Sequence, residues 1–130
     1  MNKLNKEQIL NILKKYNFDK NEFIILSGAS MVMYGIREYT SDIDIAVSNN
    51  LYNNLINNYK CTLERYDEQN KVNVYFIDNV INFSTNFYND CKYKIIDNIK
   101  CQTIDAIIKM KKSFNREKDL RDIKELEKYL

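Results

Sequence analysis

The stretch from Phe23 to Val47 constrains this chain more than any other, because it packs three kinds of local signal into about 25 residues. Phe23-Ile24-Ile25-Leu26 is a continuous apolar run, the pattern of a strand covered on both faces. Ser27-Gly28 then turns the chain, and Ala29 to Tyr34 reads as a short helix stopped by Gly35. Ile36 to Ser41 is a polar loop, and Asp42 to Val47 alternates acid with apolar residue at the period of a strand.

That alternation has a chemical consequence. In a strand, residues i and i+2 point the same way, about 6.6 Å apart at Cα. Asp42 and Asp44 are therefore expected on one face while Ile43 and Ile45 enter the core. Two carboxylates so placed suit magnesium, which takes hard oxygen ligands and keeps some water and substrate phosphate. Two such ions about 3.5–4 Å apart would clamp the attacking and leaving oxygens of an in-line displacement. Ser27-Gly28 leads into a helix start whose free amides and dipole favour anions, and the Ser27 or Ser30 hydroxyl can donate beside them. Each signal is short, and each has an ordinary alternative: a solvated strand face, and a plain strand-to-helix turn. Thirteen residues, Ala29 to Ser41, separate Gly28 from Asp42, enough for a short helix and a return loop. Turn and acids can thus face one cleft holding a metal-bound nucleoside triphosphate.

The rest of the chain frames this unit. At 130 residues a single domain, 1–130, is expected, with a core near 23–84 and C-terminal helices near 103–130. Asn5 to Tyr16 reads as an amphipathic helix capped by Asn5, with Gln8 three residues on. Asn49 or Asn50 can cap a helix to Tyr59, burying Tyr52, Leu55, Ile56 and Tyr59. Strands follow at Cys61 to Arg65, Lys71 to Ile77 and Val80 to Ser84, the last two joined by an Asp78-Asn79 turn. Asn86 to Asn98 carries no clear pattern. Thr103 can cap a helix from Ile104 to Lys112. The last helix runs from about Arg116 to Leu130, with Leu120, Ile123, Leu126 and Leu130 inward. The result is an α/β (α+β) chain with a mixed sheet of about four or five strands and helices packed on it.

Composition excludes several chemistries. The chain has no histidine, which removes Ser-His-Asp and Cys-His catalysis and makes a structural zinc site improbable with Cys61, Cys91 and Cys101 alone. Three cysteines without close spacing fit reduced thiols in a cytoplasmic protein. No segment resembles a signal peptide or approaches a membrane span, so no membrane partner is expected. The net charge of +2 is uneven: Lys92 to Arg121 carries nine basic against four acidic residues, leaving the remainder at −3. That segment is either a solvated helical surface or a positive wall for phosphate or nucleic acid.

The run L-S-G followed by D-I-D-I resembles the signature of the nucleotidyltransferase superfamily, whose fold is that of DNA polymerase beta. The longer stretch Tyr34 to Ile45 is similar to a small bacterial branch with antibiotic nucleotidyltransferases and abortive-infection-type toxins. Lys111 to Ile123 is similar to a Lys…Arg-x-Lys-Asp-x-x-Asp helix pair of that branch. The resemblance implies that Ser27 and Gly28 hold a triphosphate, ATP first among candidates, and that Asp42 and Asp44 bind magnesium. It implies further that Arg37 and Thr40 border the nucleotide, that Lys111 balances phosphate charge, and that Arg116, Asp119 and Asp122 seat the last helix. The chain departs from the pattern twice. Ser27 stands where Gly is usual, which is harmless if that position needs no positive φ. The third acid of the family falls at Asn82, or at Asn73 in another register, and an amide cannot act as a general base. The alternative is thus a weakened or inactive member that senses nucleotide or binds protein or nucleic acid. The acceptor (a small molecule such as an antibiotic, a tRNA end or a protein) and the oligomeric state, a homodimer included, have no motif to read.

Overall fold

The computed structural model describes residues 3–130. Five helices and seven strands follow in the order α1 (Lys6–Tyr16), β1 (Phe23–Ile25), α2 (Ser27–Met33), β2 (Ile43–Val47), α3 (Asn49–Asn58), β3 (Cys61–Asp67), β4 (Val72–Ile77), β5 (Ile81–Ser84), β6 (Tyr93–Ile96), β7 (Ile99–Gln102), α4 (Ile104–Phe114) and α5 (Glu117–Glu127). The strands form one mixed sheet in the order β3-β4-β5-β2-β1-β7-β6. The architecture is the expected mixed α/β arrangement, but with seven strands instead of four or five. The additional pair, β6 and β7, includes the stretch without a readable pattern. It closes on Asp97 and Asn98, both at positive φ (51° and 66°), as a type I′ hairpin requires. The same dipeptide at Asp78-Asn79 makes the expected turn between β4 and β5.

The centre of the sheet is the antiparallel pair β1–β2, flanked by β7 parallel to β1 and β5 parallel to β2. One face carries the main core: Ile25, Ile43, Ile45, Ile77, Ile81 and Phe83 pack with Ile9 and Leu13 of α1 and Leu51 and Leu55 of α3. On the other face Ile24, Leu26 and Ala46 are covered by Phe87 and Tyr88, while α4 and α5 pack on Met31 of α2. Alternation along β2 thus sends Ile43 and Ile45 into the core and leaves Asp44 on the opposite face.

Local signals decide the helix ends. Asn5 and Gln8 form the expected capping box of α1. Ser48, not Asn49 or Asn50, caps α3 by accepting from the Leu51 amide, so the helix starts one residue earlier. That start buries Leu51 with Leu55 and leaves Ile56 at the surface. Helix α5 buries Ile123 and Leu126 as expected, but Leu120 and, beyond the helix end, Leu130 are exposed. Leu120 is 55% exposed, whereas Asp119 is fully buried beside Ile123 and Leu126. The reason is electrostatic: Asp119 is bonded by Arg116 and paired with Lys111, and that network takes the inward place assigned to leucine. No helix is long and apolar enough to cross a membrane among the described residues.

The inward face of α5 can be checked by urea unfolding. Ile123→Ala is expected to cost about 2–4 kcal/mol, as for other buried aliphatic truncations, and Leu120→Ala less than about 0.5 kcal/mol.

Candidate active site

A cleft of about 460 Å3 opens on the sheet face opposite α1 and α3, bounded by β2 and β5 at the floor and by α4 and α5 at one wall. Its geometry starts from one main-chain bond. The Leu26 amide donates to the Asp44 carbonyl at 2.8 Å, continuing the β1–β2 ladder to the residue before Ser27. The turn and the acidic strand are therefore neighbours, and Ser27, Gly28, Asp42 and Asp44 all line the cleft.

The two turn residues have different constraints. Ser27 has φ +51°, the left-handed region, so the position usually held by Gly does require positive φ here. Its amide donates to Gln102 Oε1 at 2.9 Å, which holds the strained residue and removes that amide from phosphate binding. Gly28 is needed for space. A Cβ there would stand 2.9 Å from Arg37 Nη1 and 3.0 Å from Thr40 Oγ1. Ser30 does not reach the cleft: it is fully buried and its hydroxyl donates to the Gln102 carbonyl at 2.8 Å.

Arg37 and Thr40 both line the cleft beside Gly28. Thr40 is fixed through a two-way backbone bridge with Leu4 and donates to the Asp42 carbonyl at 3.2 Å. Arg37 and Lys111 are not exposed free cations. Arg37 pairs with Asp122 at 2.7 Å, and the buried Lys111 pairs with Asp122 at 3.0 Å and Asp119 at 3.7 Å. The expected network of Arg116, Asp119 and Asp122 exists and includes both of these cations. Burial alone would raise the Asp119 and Asp122 carboxyls. The bonds and charges of Arg116 and Lys111 on Asp119, and of Lys111 and Arg37 on Asp122, hold both below the ordinary value.

Asp42 and Asp44 have no such compensation. Burial and the Glu64 charge raise Asp42, against a smaller opposing pull from Lys118. Burial, then Asp42 and Glu64, push Asp44 up to about 7, although Arg65 and Lys111 oppose. Asp42, Asp44 and Glu64 thus form a local concentration of negative charge within a cleft whose wall also carries basic residues. Among the described residues no group of three His, Cys, Asp or Glu is arranged to hold a metal ion, so the protein itself offers the Asp pair. The fit to magnesium rests on that pair: hard oxygen donors, a charge deficit a cation would correct, and an open cleft for water and phosphate ligands.

Asn82 lies directly across the parallel ladder from Asp44, which selects it over Asn73, an exposed residue opposite Tyr66 on the outer side of the sheet order. The residue that faces Asp44 across this ladder is thus an amide. The residue that sequence reasoning missed is Glu64. Strand β3 carries a bulge between Leu63, opposite Tyr75, and Arg65, opposite Val74, and Glu64 is the extra residue. Its carboxylate accepts a hydrogen bond from the Asn82 side-chain amide and lines the cleft. The sequence offers no signal for this, because a bulge is a property of the pairing.

The Asp44 carboxyl, near 7 in the fold against 3.8 ordinarily, keeps a proton that the unfolded chain has lost between those values. Its contribution to stability is present at low pH and is lost as pH rises from about 4 to 7. Asp44→Asn is expected to stabilise the fold by more than about 1 kcal/mol at pH 8 and to leave it nearly unchanged at pH 4, by urea unfolding. Magnesium should raise the wild-type melting temperature at pH 8 and have a much smaller effect on the variant.

No match to a curated protein or to a solved structure is found. Residues 4–128 match the family described as "Nucleotidyltransferase of unknown function (DUF6036)". That match spans nearly the whole chain, and the chain belongs to this nucleotidyltransferase family.

Proposed function

We propose that the cleft binds a nucleoside triphosphate with magnesium and transfers its nucleoside monophosphate to an acceptor hydroxyl, releasing pyrophosphate. The observation that carries this reading is the convergence of Asp42 and Asp44 with the Ser27-Gly28 turn in one cleft, with the carboxylates left unneutralised. Family membership supports the reaction class. Asp42 and Asp44 would hold magnesium, which supplies charge neutralisation at the phosphates when bound. Gly28, lacking a side chain, lets the Arg37 guanidinium and the Thr40 hydroxyl come up against the turn, where both can meet a phosphate oxygen. The Ser27 hydroxyl stands beside it, while Arg37 and Lys111, already oriented by Asp122, contribute positive charge from the wall. Such phosphoryl chemistry rests mainly on positioning and charge, which these residues provide without histidine. ATP is the nucleotide to test first.

A second reading has its own support. Arg65, Arg116, Lys118 and Arg121 also line the cleft, and together they suit a nucleic-acid backbone. Salt-sensitive RNA or DNA binding that survives Asp42→Asn, without any transfer, would favour it.

The experiment is incubation with each alpha-labelled nucleoside triphosphate, magnesium and a cell extract. Wild type is expected to label one fraction. Asp42→Asn should abolish labelling while keeping the wild-type circular dichroism spectrum, and equal labelling by that variant would refute the reading.

A further inference from the structure

Three acids line the cleft besides the Asp42 and Asp44 pair, and their surroundings differ. Asp122 is held by Arg37 at 2.7 Å and Lys111 at 3.0 Å. Asp67 accepts from the Asn70 amide at 3.2 Å and its side chain at 2.9 Å, with Arg65 at 4.0 Å. Glu64 has no ion-pair partner among the described residues, and the Asn82 amide donates to it. A carboxylate that must take a proton needs a free lone pair and no cation holding it ionised. Among the described residues, Glu64 alone of the three has no ion-pair partner and accepts a single hydrogen bond.

We propose that Glu64 is the general base for the acceptor hydroxyl, and that Asn82 is the positioning residue that orients its carboxylate. This rests on the nucleotidyltransferase reading above. The acceptor oxygen attacks the alpha phosphorus, forming the new P–O bond as its proton passes to a Glu64 oxygen. The bond from the alpha phosphorus to the bridging oxygen breaks, and pyrophosphate leaves with that electron pair.

Two structural facts support the assignment. The bulge at Glu64 interrupts the regular alternation of an edge strand, so Glu64 and Arg65 both reach the cleft. Asn82 faces Asp44 on one side of its strand pairing and reaches Glu64 with its side chain, linking the acidic pair to the base. Glu64 is exposed, at the cleft mouth where an acceptor can enter, whereas Asp44 is half-buried at the floor.

The test measures label transfer from alpha-labelled ATP into the fraction that wild type labels, together with calorimetric binding of manganese and of a non-hydrolysable ATP analogue. Glu64→Gln, an exposed change that leaves the core untouched, should lower kcat by about a hundredfold or more. Binding of manganese and of the analogue should be unchanged, while Asp44→Asn loses manganese. Asn82→Ala should lower kcat at unchanged KM, and should add no further loss to Glu64→Gln, because the two act as one unit. The assignment is overturned if Glu64→Gln transfers label like wild type, if it loses manganese like Asp44→Asn, or if the two losses multiply. Failure of wild type to label any fraction would remove the nucleotidyltransferase reading itself, a result distinct from these three.

Discussion

The antiparallel contact between β1 and β2 is the constraint on which the site depends. Its last bond, Leu26 amide to Asp44 carbonyl, joins the residue before the turn to the second acid of the pair. Because strand side chains alternate, this one register puts Ile25 and Ile45 on the core side and Asp44 on the cleft side. A slip by one residue would bury the acids and expose the isoleucines. The hydrophobic core under β1 and β2 and the geometry of the cleft are therefore the same structural fact. The parallel neighbour β5 extends it by setting Asn82 across from Asp44.

Charge in the cleft is divided into two groups with different roles. Asp119 and Asp122 are matched by Arg37, Lys111 and Arg116, and their carboxyls sit below the ordinary value. That network joins α4, α5 and the loop after α2, and it explains why α5 presents aspartates inward where apolar periodicity favours Leu120. A buried cluster of this kind contributes specificity of placement more than net stability. Asp42, Asp44 and Glu64 form the other group, without an ion-pair partner among the described residues, and burial together with the charges of Asp42 and Glu64 raises the Asp44 carboxyl. Unbalanced charge is unfavourable in an isolated fold and favourable for a cationic ligand, so it marks a functional site more sharply than the balanced network does.

Where the sequence was legible, the signal was local. The Asn5 and Gln8 capping box, the alternation of Asp42 to Val47 and the Asp78-Asn79 turn each depend on residues a few positions apart. The second Asp-Asn turn, at Asp97-Asn98, is flanked by Ile96 and Ile99 much as the first is by Ile77 and Val80. It was the readable mark of β6 and β7, and the exposed, mixed pattern of Tyr93 to Ile96 hid it. What could not be read depends on distant partners. Ser30 is directed to the Gln102 carbonyl and Ser27 to the Gln102 side chain, contacts across more than 70 residues. Nor does the local sequence show that Lys111 lies between two aspartates of the next helix.

The amide at Asn82 acquires a different meaning in this setting. A carboxylate there would sit across the ladder from Asp44, about 4.8 Å away at the backbone, adding a third negative charge where burial already raises the second. An amide at that place adds no charge and can donate, which a carboxylate cannot. Donation to Glu64 links the floor to an acid on the edge strand, where a bulge is tolerated because only one neighbour must be accommodated. In the proposed reaction, metal holding and proton removal would thereby be separated between the half-buried Asp42 and Asp44 pair and the exposed Glu64. Loss of the expected acid at one position and gain of an unpaired acid within hydrogen-bond reach of it are parts of a single arrangement.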